Sequence, residues 1–209
     1  MTTTTTAARE RTSRRREQTR ARLLTAALDV LGEQGLARSS VESVCERAGF
    51  TRGAFYSNFA TMDDVVAALY TDRAGALVDH VEERLAHGLP GADLEQVVAH
   101  VLQVLPIDRQ WHAVRTEFTA QALRNPEAAA TLARQRADLR RRLAPVLEQA
   151  LARVGRRLTV PADELVRAVV TAHEGLVTPR LLGDTGDVEG FEARVVTAVI
   201  QQFTEEAAR

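Results

Sequence analysis

Thr51, Arg52, Gly53 and Tyr56 stand close together in a chain of 209 residues, and their types suit contact with a duplex. An arginine guanidinium donates two parallel hydrogen bonds to guanine O6 and N7 in the major groove, so Arg52 is the candidate for reading a base. Thr51 can meet a phosphate oxygen or pack on a thymine methyl. Gly53, lacking a side chain, lets the backbone approach a groove closely. Tyr56 offers a hydroxyl on a rigid ring.

The flanking residues place these groups on a helix. Ser39 or Ser40 can cap a helix by accepting a backbone N–H bond. Val41, Val44, Cys45 and Ala48 then recur at the spacing of one buried helical stripe. Gly49 stops that helix, because glycine enters the left-handed conformation without a Cβ penalty. Thr51 can cap a second, very short helix. Two helices joined by so tight a turn form a helix-turn-helix, whose second helix fits the major groove. An earlier helix, running to about Gln34, has Leu23, Leu24, Ala27, Leu28 and Leu31 on one face. That face is expected to pack on the Val41/Val44/Cys45 stripe, completing a three-helix unit.

With Ser39-Ser40-Val41, Ala48-Gly49-Phe50-Thr51-Arg52-Gly53-Ala54-Phe55-Tyr56 and Phe59, the chain resembles the TetR family of bacterial transcriptional regulators. The resemblance implies that Tyr56 donates to a phosphate and that Ser40, Ser57 and Asn58 add further backbone contacts. Three positions depart from the family pattern. Met62 stands where a phosphate-binding lysine is usual, Asn58 replaces histidine or tyrosine, and Cys45 replaces alanine.

Charge is unevenly spread. Residues 1–58 hold ten arginines against six acids, and residues 59–209 hold seventeen against twenty-two. A basic end joined to an acidic remainder fits a polyanion-binding module attached to something that does not bind nucleic acid. Arg9, Arg11, Arg14, Arg15, Arg16, Arg20 and Arg22 precede or enter the first helix. They are either a solvated charge run or an arm that meets phosphates, with Arg15 the candidate contact. The single cysteine permits no intramolecular disulfide. No apolar run approaches the ~18 residues that span a bilayer. The expectation is a cytoplasmic, soluble protein with no membrane association.

The rest of the chain reads as helices, so the expected class is all-α: an N-terminal helix-turn-helix DNA-binding unit followed by a larger helical ligand-binding and dimerisation domain. Residues 1–12 are expected as a disordered basic arm, 13–60 as the DNA-binding domain, and 61–209 as the effector-binding and dimerisation domain. A long helix starts at Thr61 and runs to about Gly88. Others are expected at 94–105, around 111–122, from Pro126 to Val154, and at 162–181 and 188–207. The stripes of the last two include Val166, Val169, Val170 and Val177, then Val195, Val199 and Phe203. Both are wider than one neighbour needs, which suggests pairing with a second copy in a four-helix interface, as the family resemblance also implies.

Arg73, Arg115 and His173 interrupt otherwise apolar stripes, and buried charges need partners. Either they pair with acids such as Glu117 or Glu174, or they anchor an anionic or polar effector in a pocket lined by Leu69, Tyr70, Leu102, Trp111, Phe118 and His173. His80, Glu83 and His87 share a helix face at a spacing that could hold a metal, but acids flank them and a solvated face is favoured. The functional expectation is a homodimeric regulator, a repressor, that binds a palindromic double-stranded DNA operator and is released by a small-molecule effector, with no cofactor, no metal and no catalytic residue. A helical metal-binding enzyme and a non-specific architectural DNA protein are the alternatives.

Overall fold

Helices and one short strand pair make up the computed structural model, which describes residues 3–86, 91–103, 105, 107–183 and 188–207. The helices are α1 (Thr3–Gln34), α2 (Val41–Ala48), α3 (Arg52–Tyr56), α4 (Met62–Ala86), α5 (Leu94–Leu102), α6 (Arg109–Ala122), α7 (Pro126–Arg153), α8 (Ala162–Leu181) and α9 (Val188–Gln202). Strands β1 (Arg156–Leu158) and β2 (Thr204–Glu206) pair antiparallel. The chain divides into two compact units, Met1–Thr71 with Asp108–Leu132, and Asp72–Ile107 with Ala133–Arg209. The division therefore does not fall at one point near residue 60. The first turns of α4, all of α6 and the start of α7 belong with the helix-turn-helix.

In the first unit the start signals act locally. Ser40 accepts from Ser43 N–H at 3.2 Å while Ser43 Oγ accepts from Ser40 N–H at 3.0 Å, a reciprocal cap on α2. Gly49, at φ 69° and ψ 36°, closes that helix in the left-handed region, and Phe50 N–H returns to Cys45 O at 3.0 Å. Thr61 and Asp64 cap α4 reciprocally, and Asn125 Oδ1 accepts from Glu127 N–H at 2.9 Å to open α7.

The core of this unit gathers Leu23, Leu31, Val44, Phe55, Val65 and Phe118, all essentially sealed from solvent. Helix α1 lies so close to α6 that a Cβ on Gly32 would come within 2.9 Å of Gln110 Cβ. The helical backbone of α1 reaches back to Thr3, so residues 3–12, expected to be disordered, are helical; Met1, Thr2 and the side chains of residues 3–12 lie outside the described residues. Once a helix is anchored by a buried stripe, each added residue costs only propagation, and Ala7, Ala8 and the arginines propagate well.

The second unit builds its core from two groups. Val78, Val81, Leu143, Val146 and Val166 form one, and Val98, Leu151, Leu165, Val196 and Ile200 the other. Helix α9 stops at Gln202 instead of running to 207. Thr204 leaves the helix and pairs with Leu158, while Arg156 Nε donates to Thr204 Oγ1 at 2.7 Å and Arg156 Nη2 to Thr204 O at 3.0 Å. Helical periodicity could not reveal this pairing, because its partner lies far back in the chain. The expected helix ends at Gly88 and Pro106 lie outside the described residues. No helix among the described residues is long and apolar enough to cross a membrane.

Candidate functional site

Helix α3 is fastened by one side and open on the other. Phe55 is fully buried and stacks edge-on against Tyr56 at 5.5 Å, with Phe59 5.7 Å away. Thr51 caps the helix, accepting from Ala54 N–H at 3.3 Å. Thr51, Arg52, Gly53, Tyr56 and Ser57 all face solvent, and Tyr56 is 49% exposed. A Cβ on Gly53 would meet nothing nearer than Thr51 Oγ1 at 3.7 Å, an ordinary contact. Nothing inside the protein requires glycine there.

Arg52 is not idle in the free protein. Its Nη1 reaches Glu42 Oε1 of α2 at 2.8 Å, and its guanidinium carbon lies 6.0 Å from the Tyr56 ring centroid. The Tyr56 hydroxyl first, then the Glu42 charge, favour the guanidinium cation. The Glu42 carboxyl is held below the usual carboxylate range by its own backbone N–H and by Arg52. Cys45, behind it, is a buried thiol pushed up by desolvation and then by Glu42, which is the behaviour of a core residue and not a reactive one.

The N-terminal arginines divide by role. Arg16 Nη2 donates to Ser57 O at 3.0 Å, and Arg22 Nη2 to Ala48 O at 3.1 Å. Arg22 also lies over Phe50 at 4.7 Å and Arg20 over Phe59 at 5.4 Å. These three brace the helix-turn-helix. Arg15 remains exposed on α1. Sequence alone could not separate them, since all sit in one basic run.

Two of the residues expected to meet the DNA backbone also make hydrogen bonds inside the fold. Ser40 Oγ serves as the α2 cap. Asn58, half-buried, uses Nδ2 on Ala54 O at 2.8 Å and Ser57 Oγ at 3.1 Å, while its Oδ1 is buried without a hydrogen-bond partner. Asn58 thus ties the end of α3.

The expected effector pocket is also divided. Leu69, Tyr70, Trp111 and Phe118 pack in the first unit, with Tyr70 and Trp111 ring centroids 4.7 Å apart and Tyr70 and Phe118 5.9 Å apart. Arg115 Nη2 meets His112 Nδ1 at 3.2 Å. Glu117, offered as a partner for the arginines, accepts from Leu36 N–H at 2.6 Å. Only Leu102 and His173 of that set line a cavity in the second unit, among the aliphatic residues of α4, α5, α7, α8 and α9. His173 Nδ1 lies 2.5 Å from Glu192 Oε1, and Glu192, 3% exposed, is 3.9 Å from Arg180 Nη1. Arg73 lies half-buried on α4, in the second unit. The aromatic residues joined the first core because α6 packs on α1, a choice that one-dimensional periodicity does not express.

The expected dimer stripe is partly turned inward. Val166, Val169 and Val170 line the protomer's own cavity, and Val177 is buried. Val195, Val199 and Phe203 are half-buried. The outward line on α8 is Thr171, Gly175, Thr178 and Leu182, the last 77% exposed at the helix end, beside Phe191 of α9 at 50%. His80 and Glu83 are exposed and His87 lies outside the described residues; among the described residues no three metal-ligating side chains converge.

Comparison with known proteins bears on both units. Residues 23–69 match the family described as bacterial regulatory proteins, tetR family, and residues 90–208 match the BetI-type transcriptional repressor C-terminal family. An uncharacterised HTH-type transcriptional regulator from Mycobacterium bovis is 48% identical over 54 residues, which is 26% of this chain and 28% of that protein's length. The fatty acid degradation regulator FadR from Bacillus halodurans superposes with a TM-score of 0.67 at 17% identity, covering 88% of this chain and 95% of that one. A transcriptional regulator from Saccharomonospora viridis, solved in complex with choline, gives 0.63 at 15% identity over 91% and 100%.

Proposed function

The chain belongs to the tetR family of bacterial regulatory proteins, DNA-binding transcription factors and not enzymes, and on that footing we propose a homodimeric repressor that binds a palindromic operator through α3. A small molecule in the cavity of the second unit releases it. The observation that carries the reading is the two-sidedness of α3: Phe55 is sealed in the core while Arg52, Gly53 and Tyr56 are exposed to solvent. Arg52 reads a guanine, Thr51 an adjoining base or phosphate, and Tyr56, Ser57 and Arg15 hold the strands. Such phosphate contacts set register, whereas base contacts carry sequence.

The second copy docks along the Gly175/Thr178/Leu182 line and Phe191, with Val195 at its edge. A Cβ on Gly175 would meet nothing within 4 Å in the protomer, leaving room for a partner helix. An effector need only favour the non-binding spacing of the two recognition helices by ~1–3 kcal/mol to shift occupancy 5–150-fold. The work is done in the cytoplasm, where operator DNA lies.

Selection of bound DNA from a random pool tests the reading. The expected product is a two-fold site with half-sites one helical turn, about 34–36 Å, or a multiple apart. A pool that stays random would show a non-specific architectural protein instead.

A further inference from the structure

The cavity of the second unit has a free volume of about 120 Å³, and among the described residues His173 is the only one in its lining that is not aliphatic. His173 Nδ1 is engaged by buried Glu192, and the lining surface is almost wholly apolar. An apolar cavity of roughly 150 Å³ stays dry and takes a benzene-sized guest, so this one suits a compact hydrocarbon body. A ligand's polar end has no seat inside.

It has one at the rim. Leu85, Val97, Ala150 and Val154 also line an outer recess of about 490 Å³, so the two share a wall. Among the described residues, Arg84, His100 and Arg153 are the cationic or protonatable ones that line this recess, and no acid does. Arg153 is braced there, its Nη1 donating to Leu85 O at 2.6 Å. The Nε of Arg84 is buried with no hydrogen-bond partner, and a buried donor left so is costly.

We propose that this paired site receives an amphipathic anion, a short or medium acyl chain ending in a carboxylate or phosphate. The chain lies among the aliphatic residues and the head meets Arg84 and Arg153. A quaternary ammonium is excluded on the same grounds, because its recognition uses aromatic faces and this lining has none among the described residues. The assignment names the chemical class of the effector and rests on the regulator reading only for its consequence at DNA.

Calorimetry on the full chain with octanoate, octyl phosphate, octanol and octyltrimethylammonium tests it. Both anions are expected to bind at least tenfold more tightly than octanol, with the cation weakest. Arg84→Ala should bring the anions down to the level of octanol and leave octanol unchanged. Val101→Phe, which fills the cavity, should abolish all binding while thermal melting reports a folded chain. Octanol or the cation binding as tightly as octanoate, or Arg84→Ala binding octanoate like the parent, would overturn the assignment. Pelleting with phosphatidylglycerol vesicles would overturn it too, by showing a membrane surface as the source of the acyl anion. Operator binding is read separately: tight anion binding without DNA release keeps the site and sinks the effector reading.

Discussion

Arg52 Nη1 sits 2.8 Å from Glu42 Oε1, so the side chain best suited to read a base is held in the free protein by an acid from the preceding helix. Both partners are exposed, and exposed pairs contribute little to stability. The consequence lies in recognition, since Arg52 must exchange one acceptor for another on meeting DNA. Glu42→Gln removes both the restraint and a negative charge facing phosphates. It should raise affinity for random-sequence DNA roughly threefold to tenfold, by analogy with other rim charges, and leave the melting temperature unchanged. Arg52→Ala should cost operator affinity about tenfold to a hundredfold and relax preference at one base position. Fluorescence anisotropy with operator and scrambled duplexes checks both.

Gly53→Ala separates folding from groove fit. The protein leaves space for the new methyl, whose nearest heavy atom would be Thr51 Oγ1 at 3.7 Å. Circular dichroism should show an unchanged or slightly more stable helix, because alanine favours helix over glycine by roughly 1 kcal/mol. Operator affinity should nonetheless fall by about tenfold or more. Full DNA binding by this variant would mean that α3 does not enter a groove closely.

Arg15→Ala addresses the N-terminal arginines. Arg15 is exposed, whereas Arg16 and Arg22 are hydrogen-bonded to Ser57 O and Ala48 O. Losing Arg15 should weaken all DNA sequences alike and reduce the slope of log affinity against log salt by about one. Arg22→Ala should lower the melting temperature as well, because it loosens the turn.

Phe191→Asp tests the second copy. The ring is half-exposed in the protomer, so the substitution costs little within one chain. Buried against a partner it would place an unpaired charge in an apolar interface. Sedimentation at micromolar concentration should show a dimer for the parent and a monomer for the variant. A parent that sediments as a monomer would remove the dimer from the proposal.

Acid should destabilise the fold modestly. Glu33 beside Arg47, Glu42 beside Arg52 and Asp163 beside Arg140 all have carboxyls held below their ordinary range. The unfolded chain therefore takes up these protons first. The stability they supply is complete above the unfolded carboxylate values of about 4, and is lost as pH falls through the depressed folded values. Melting temperatures should be flat from pH 7 to 5 and decline below 4. Half-molar salt should shrink the decline, since these pairs are exposed.

The sequence by itself determined the stretch from Leu23 to Thr61 closely. Ser40, Gly49, Thr51 and Thr61 act on backbone groups within a few positions, and the Leu23–Leu31 and Val44–Ala48 stripes share one core. Local hydrogen bonds and short-range packing are written in local spacing. Helical phase also told which residues would be buried, but not against what. Tyr70, Trp111 and Phe118 went to the first core with α1, while Val166, Val169 and Val170 turned to the cavity with Leu102 and His173. Thr204 met a strand 48 positions back at Arg156, and His173 met Glu192 rather than the adjacent Glu174. Such choices are decided by which helices share space, and that depends on the packing energy of the whole unit, not on any stretch of it.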